Sequence, residues 1–255
     1  MVLHGRNGES PVPVLACATP GDCFYAAIEA ARVAVTYRTP VYLLSDAYLA
    51  NGAEPWLVPD ISSLSPIDVE FASADGGEFE AYRRDPETLA RPWAIPGTPG
   101  LEHRIGGLEK ANITGAISYD PDNHDLMTQL RAQKVAGIKV PDLEVDHQEG
   151  ADVLVLSWSG TYGPVHAGVR RVRANGGKAA HAHLRWLNPF PANLGDVLGS
   201  YDRVLIPEMN LGQLLQLIRA RYLVDAVGYN RVTGKPFKAG EIADAIQTAG
   251  ASSGR

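Results

Sequence analysis

The residues able to do chemistry lie mostly at the ends of predicted strands. "SGTYGP", Ser159 to Pro164, follows the apolar run "DVLVLSW" and precedes a helical pattern. Glycines let backbone amides approach a phosphate, and a helix N-terminus favours an anion, so a phosphate cradle is one reading. The GxGxxG spacing is absent and no Walker lysine follows Gly163, which favours an ordinary strand-to-helix turn. His181 and His183 alternate along "KAAHAHL" and share one face of a strand, a spacing that can hold a metal. No carboxylate or third histidine stands at a supporting spacing, so buried or interface histidines are the better account. Ser157 and Ser159 flank Trp158 with no GxSxG elbow, and no acid–base partner for them is visible in sequence. Asp120 and Asp122 sit where carboxylates cap a helix.

The remaining place is "VLIPEMNLGQLLQLIRARY", which begins as a buried strand and finishes as an amphipathic helix. Its turn carries Glu208, Asn210, Gly212 and Gln213. Open α/β sheets receive ligands and partners at the carboxyl ends of their strands, which suits a contact surface. N-capping by Asn210 explains the same residues. The contact reading is favoured.

These positions need elements to hold them. "PVPVLACA" and "PVYLLSD" read as strands around a helix that Thr19-Pro20-Gly21-Asp22 starts, with Phe24, Ala27, Ile28, Ala31 and Val35 as its expected buried face. One β-α-β unit buries little by itself and is expected to leave apolar surface exposed. Residues 61–149 are rich in proline and glycine and form an irregular connection, apart from a helix over "DPDNHDLMTQLRAQKV" with Leu126, Leu130 and Val135 as its apolar positions. From residue 150 to 255 strands again alternate with helices, which predicts right-handed crossovers and a parallel sheet. The organisation expected is therefore 1–60, 61–149 and 150–255, in the α/β class.

Composition narrows the function. The chain has 255 residues, 45% of them apolar, enough for packed cores. A formal net charge of −6 argues against nucleic acid, which needs a clustered basic surface. The run Arg170-Arg171-x-Arg173 suits a helix C-terminus. Two cysteines, Cys17 and Cys23, are too few for a disulfide framework or an iron–sulfur ligand set. No apolar run approaches the roughly 20 residues that span a bilayer, and "MVLHGRNGES" has no signal-peptide core; a cytoplasmic protein without membrane contact is expected.

At "HGRNGESPVPVLA", "TPVYLLSDAYLANGAEPW", "RDPETLARPWAIPGTPGLEHRIGGLEK", "SYDPDNHDLM", "LNPFPANL" and "VLIPEMNLGQL" the chain resembles the α subunits of the 2-oxoacid:ferredoxin oxidoreductases, most of all the two-subunit, 2-oxoglutarate-type (KorA-like) enzymes. The resemblance implies the end of a thiamin-pyrimidine-binding α/β domain, followed by a transketolase C-terminal-like parallel-sheet domain. It implies thiamin diphosphate shared with a β subunit that carries the iron–sulfur cluster, a 2-oxo acid and coenzyme A as substrates, ferredoxin as electron acceptor, and a hetero-oligomer. The family's "YPITP"-like segment and its activating carboxylate have no counterpart here. The chain is thus expected to be the C-terminal part of such a subunit, with no catalytic residue of its own and no activity alone. Arg6, Asn7 and Glu9 of the "GRNGE" loop are expected near thiamin and substrate, with a solvated loop as the alternative. Glu208, Asn210, Gly212 and Gln213 are expected at the subunit interface or near coenzyme A. Relatives read "SDGY" where this chain has Ser45-Asp46-Ala47-Tyr48, which questions the local turn if it needs positive φ. A non-catalytic assembly module, or an independent nucleotide-binding protein using "SGTYGP", are the other functions compatible with the sequence.

Overall fold

A computed structural model of the chain describes residues 2–5, 8–74 and 77–251. In chain order the elements are β1 (Val14–Ala16), α1 (Asp22–Tyr37), β2 (Tyr42–Leu44), α2 (Ala47–Asn51), α3 (Pro121–Ala136), β3 (Val145–Asp146), β4 (Val153–Trp158), α4 (Tyr162–Ala174), β5 (Ala180–Leu184), β6 (Trp186–Asn188), α5 (Leu194–Gly199), β7 (Arg203–Glu208), α6 (Gln213–Tyr222), β8 (Val227–Asn230) and α7 (Ala239–Ala251). They fall into two compact units. The first comprises Met1–Val14, Ala27–Tyr42 and Leu57–Lys139, and the second Leu15–Ala26, Leu43–Trp56 and Val140–Arg255.

The second unit is built on a five-stranded sheet in the order β3-β5-β4-β7-β8. All its pairings are parallel except β3 with β5. Strand β4 is apolar on both faces because helices cover it, as parallel strands require. Val153, Val155 and Leu205 of the sheet pack with Val165, Val169 and Val172 of α4 and with Ile242 and Ile246 of α7. Full burial of each such side chain contributes about 1.5–3 kcal/mol. The two helices approach closely at Gly168, where a Cβ would lie 2.6 Å from the Ile242 side chain. A separate sheet has the order β2-β1-β6. Within the second unit, Cys17 N donates to Leu44 O (3.1 Å) and Ala16 N to Arg185 O (2.8 Å).

Helix α1 starts as its sequence specifies. Thr19 Oγ1 accepts from Asp22 N (3.2 Å) while the Asp22 carboxylate accepts from Ala18 N (2.8 Å), a reciprocal cap. Its buried face differs from the expected one. Ala26, Val33 and Tyr37 are buried, whereas Phe24, Ala27 and Ala31 are exposed. The cause is degeneracy: apolar residues occur all round this alanine-rich helix, so spacing alone does not choose a side. Helix α3 forms where predicted, capped by Asp120, whose carboxylate accepts from Asp122 N (3.0 Å). Met127 and Val135 are its buried residues and Leu126 is 42% exposed, so the inward face is turned by about one residue from the expected one.

The first unit holds much of the irregular chain, whose order comes from specific side chains. Arg38 lies 4.1 Å over the Trp93 ring, which stacks on Phe71, and Arg38 Nη2 donates to Glu70 O (2.8 Å). Asp85 caps the turn that follows it through Glu87 N and Thr88 N (3.0 and 2.7 Å). Tyr37 Oη accepts from Lys139 N (3.1 Å), tying α1 to the chain beyond α3. Large apolar side chains remain exposed here, including Leu57, Val58, Ile61 and Ile105. Among the described residues no helix is long and apolar enough to cross a membrane.

Candidate functional site

The sheet of the second unit has one topological switch point. From β4 the chain passes to β5 on one side and later returns to β7 on the other. Ligands of open α/β sheets bind outside the carboxyl ends of the strands that diverge in this way. Here those ends present Trp158 to Thr161 after β4 and Glu208 to Gln213 after β7.

Glu208 is wholly buried, and its carboxylate is fully engaged. Oε1 accepts from Trp158 Nε1 (3.3 Å), Asn210 Nδ2 (3.0 Å) and Leu214 N (3.0 Å), and Oε2 accepts from Leu215 N (3.0 Å). The side chain therefore caps α6 from inside, supplying negative charge where the helix dipole favours it and satisfying two first-turn amides. Asn210 Oδ1 accepts from Gly212 N (2.8 Å) and Gln213 N (2.9 Å), and Asn210 O accepts from Asn230 Nδ2 (3.1 Å). Gly212 takes φ +90°, a conformation that favours glycine. The four residues do come together, and their inner polar atoms serve the turn. What the turn offers outward is Leu211, 83% exposed, and the exposed Gln213 side chain.

The "SGTYGP" turn also has its anion position filled from within. Asp46 Oδ2 accepts from Gly160 N (3.0 Å) and Ser159 Oγ (3.2 Å), while Asp46 Oδ1 caps α2 by accepting from Leu49 N (2.9 Å). A Cβ on Gly160 would stand 2.3 Å from Asp46 Oδ2, so the close approach explains the glycine. A phosphate arriving at this turn would meet a carboxylate, which removes the attraction of the cradle. Ala47 begins α2 with ordinary backbone and is absent from the positive-φ residues, so replacing the family's glycine strains nothing here.

His181 and His183 share one face, as their spacing predicts, and Ser157 stands between them. Its Oγ lies 2.7 Å from His181 Nε2 and 2.7 Å from His183 Nδ1. One hydroxyl proton serves one ring, and the other ring donates to the oxygen. Burial is the main cause holding both imidazoles neutral at pH 7: His181 is pushed down to about 4, with His166 adding to the effect, and His183 to about 3, with His181 and Arg185 adding to it. Tyr162 closes the cluster, its ring 5.0 Å from that of His183 and 5.8 Å from that of His181. No carboxylate hydrogen-bonds either ring among the described residues, so the serine lacks an oriented base of the triad kind. The cluster is a buried polar network. Parallel pairing of β4 with β5 sets Ser157 opposite His183 and creates it, and no local signal in sequence announces that pairing.

The other candidates lie in the first unit. Arg6 and Asn7 fall outside the described residues. Glu9 is exposed at φ +56°. Cys17, buried in the second unit, has its thiol pushed up to about 12, chiefly by burial and then by its hydrogen bond with Cys23; it is a protonated packing residue at neutral pH.

Comparison with known proteins adds what the geometry does not. Residues 1–120 match the family model described as pyruvate flavodoxin/ferredoxin oxidoreductase, thiamine diP-bdg. The chain is 58% identical over 248 residues to the 2-oxoglutarate oxidoreductase subunit KorA of Mycobacterium tuberculosis, covering 97% of this chain and 38% of that protein. It is 31% identical to the alpha subunit of 2-oxoacid:ferredoxin oxidoreductase 1 of Aeropyrum pernix, covering 85% of this chain and 35% of that protein. Among solved structures, the 2-oxoglutarate:ferredoxin oxidoreductase from Magnetococcus marinus, with 2-oxoglutarate, coenzyme A and succinyl-CoA bound, superposes with a TM-score of 0.89 at 30% identity, over 97% of this chain and 44% of that one. The chain therefore spans well under half the length of these relatives.

Proposed function

We propose that the chain belongs to the α-subunit family of the 2-oxoacid:ferredoxin oxidoreductases and is part of an enzyme that oxidatively decarboxylates 2-oxoglutarate to its acyl-CoA and passes the electrons to ferredoxin. The observation that carries this reading is the extent of the likeness to a 2-oxoglutarate oxidoreductase subunit, which runs through 97% of the chain and both of its units. In this reading residues 1–60 close a pyrimidine-binding domain, 61–149 connect, and 150–255 form the transketolase C-terminal-like domain. A β subunit brings the diphosphate-binding half of the thiamin site and the iron–sulfur cluster.

Thiamin diphosphate supplies the ylid that attacks the 2-oxo group when it is bound. The described residues do not provide a complete site for it. Activating an aminopyrimidine needs a carboxyl group free to hydrogen-bond its ring nitrogen, and the one buried carboxyl group among the described residues, Glu208, is consumed by four donors. No catalytic step is assigned to this chain, which is inactive by itself in this reading. Arg6, Asn7 and Glu9 are proposed to face the thiamin and substrate end of the assembled enzyme. At the 208–213 turn the contact with a partner subunit or with coenzyme A falls to Leu211 and Gln213, whose exposure supports it, while Glu208, Asn210 and Gly212 hold the turn that presents them.

Immunodepletion of a source-cell extract with an antibody against this chain tests the proposal. Coenzyme A- and 2-oxoglutarate-dependent ferredoxin reduction should be lost from the depleted extract and recovered in the precipitate. Activity left wholly in the depleted extract, or a precipitate active on pyruvate and silent on 2-oxoglutarate, would overturn it.

A further inference from the structure

Four cations of the first unit stand together, and none of them forms an ion pair among the described residues. Arg84, Arg91, Arg131 and Lys134 line one cavity of about 550 Å³, with Arg38 and Lys110 beside them. Every ion pair formed among the described residues involves other side chains. The polar partners of the six are uncharged. Arg84 Nη1 donates to Asn112 Oδ1 (2.9 Å), Arg131 Nη2 to Thr128 Oγ1 (2.9 Å) and Lys134 Nζ to Arg38 O (3.3 Å). Lys110 Nζ donates to the carbonyls of Gly106 and Leu108 (3.1 and 2.5 Å), and Arg91 lies 4.4 Å over the Tyr82 ring. The Nε atoms of Arg38 and Arg131 are buried with no hydrogen-bond partner among the described residues. Glu109, a carboxylate on the wall, hydrogen-bonds His124 (2.9 Å) and forms no ion pair with the six cations among the described residues.

The cations feel one another. Lys134 is pushed down to about 8, first by burial and then by Arg84, Arg91 and Arg131, and Arg84 is lowered by burial and by Arg91 and Arg131. Helix α3 delivers two of the four on the face that also buries Met127, so packing that methionine commits Arg131 and Lys134 to the cavity. Half-buried like charges with unfilled donors raise the energy of the protein until an opposite charge arrives.

The geometry points to a binding site for a small organic anion carrying a phosphate-ester or diphosphate group. A phosphomonoester brings about two negative charges and three acceptor oxygens, and a diphosphate more. A dicarboxylate brings the same two charges as a monoester, but divides them between separate carbon centres and lacks the three oxygens on one atom that several guanidinium forks can share. Guanidinium forks match phosphate oxygens in pairs, which fits three arginines around one lysine. The cavity falls in the size range of small-ligand sites, and Tyr82, Met127 and Leu130 give it an apolar wall for the organic part. The inference uses only residues of the first unit and stands apart from the assignment of the chain to a 2-oxoglutarate enzyme.

Titration calorimetry on the 255-residue chain at low ionic strength tests it, with inorganic pyrophosphate, coenzyme A and succinate as probes. Pyrophosphate should bind saturably, at least tenfold tighter than succinate. Coenzyme A binding tighter than pyrophosphate would identify a nucleotide ligand, and equal or weaker binding a simple phosphate donor or product; both support a phosphate site. Arg84→Gln, Arg131→Gln and Arg91→Gln should each weaken pyrophosphate tenfold or more, with the exposed Lys235→Gln unchanged. Among the described residues Arg91 is held by stacking on Tyr82 and not by a side-chain hydrogen bond, so its variant should fold, and melting temperature in the absence of anion checks that. No saturable binding of pyrophosphate, succinate bound as tightly, or unaltered affinity in a folded Arg91→Gln chain would overturn the inference.

Discussion

The two units treat charge in opposite ways. In the second, two carboxylates sit where helices and turns offer free amides, and each is met by donors from its own chain: Glu208 by four and Asp46 by three. In the first, four half-buried cations share a cavity and find only neutral hydrogen-bond partners among the described residues. A closed account of charge makes a rigid scaffold. An open one leaves free energy for a ligand to recover, so the irregular unit, and not the regular one, carries the stronger sign of recognition.

Several changes would break or sharpen that contrast. The largest effect is expected from Glu208→Leu, which strands two backbone amides, the Trp158 indole and the Asn210 carboxamide; a loss of about 3–5 kcal/mol should appear in urea unfolding. A loss below about 1 kcal/mol would mean that the second unit does not depend on its internal carboxylate. Acid should come next. Both imidazoles beside Ser157 are lowered in the folded chain, from 6.5 to about 4 and about 3, so unfolding takes up protons below pH 6.5. Stability is fully present above that pH and falls as the pH drops towards those folded values, because the unfolded chain binds the protons that the buried rings refuse. The double variant His181→Gln, His183→Gln should flatten the profile measured by denaturant titration at successive pH values.

Gly160→Ala should cost about 2 kcal/mol, because the new methyl displaces the Asp46 carboxylate from both its donors on that turn. Asn210→Ala should cost about 1 kcal/mol through the lost cap, and unchanged partner binding by the folded variant would place the contact on Leu211 and Gln213 alone. The smallest effect runs the other way: Arg131→Gln should raise the melting temperature slightly, by less than about 1 kcal/mol of stability, as repulsion within the cation cluster is relieved. A drop instead would mean that the cavity is held together by its arginines.

Much of the scaffold was legible in sequence because its signals are local. Asp120, Thr19 and Asn175-Gly176-Gly177 mark helix ends through capping chemistry, and the apolar runs of β4 and β7 announce covered strands. Strands β3, β6 and β8, with two to four residues each, carry no such pattern and exist through pairing with distant neighbours. The buried side of α1 escaped for a different reason, since alanine presents an apolar surface in every direction. Site chemistry was least legible. Ser157 meets its histidines 24 and 26 residues away, and the cations gather from positions 84 to 134 across chain with little periodicity. The role of Glu208 could be located from the strand-to-helix transition, but only the fold shows that its oxygens point inward.

The bond between Asp46 and the Ser159-Gly160 turn has a consequence for how such a fold changes over generations. Residues 114 positions apart meet at one oxygen, so the turn is neutralised by a single side chain. Exchanging Asp46 for a residue without charge would, in one codon, uncover an amide and a hydroxyl at the mouth of a helix whose glycine is already in place. The turn is one substitution away from offering a nascent anion receptor, and the same aspartate that steadies the scaffold keeps that evolutionary door shut.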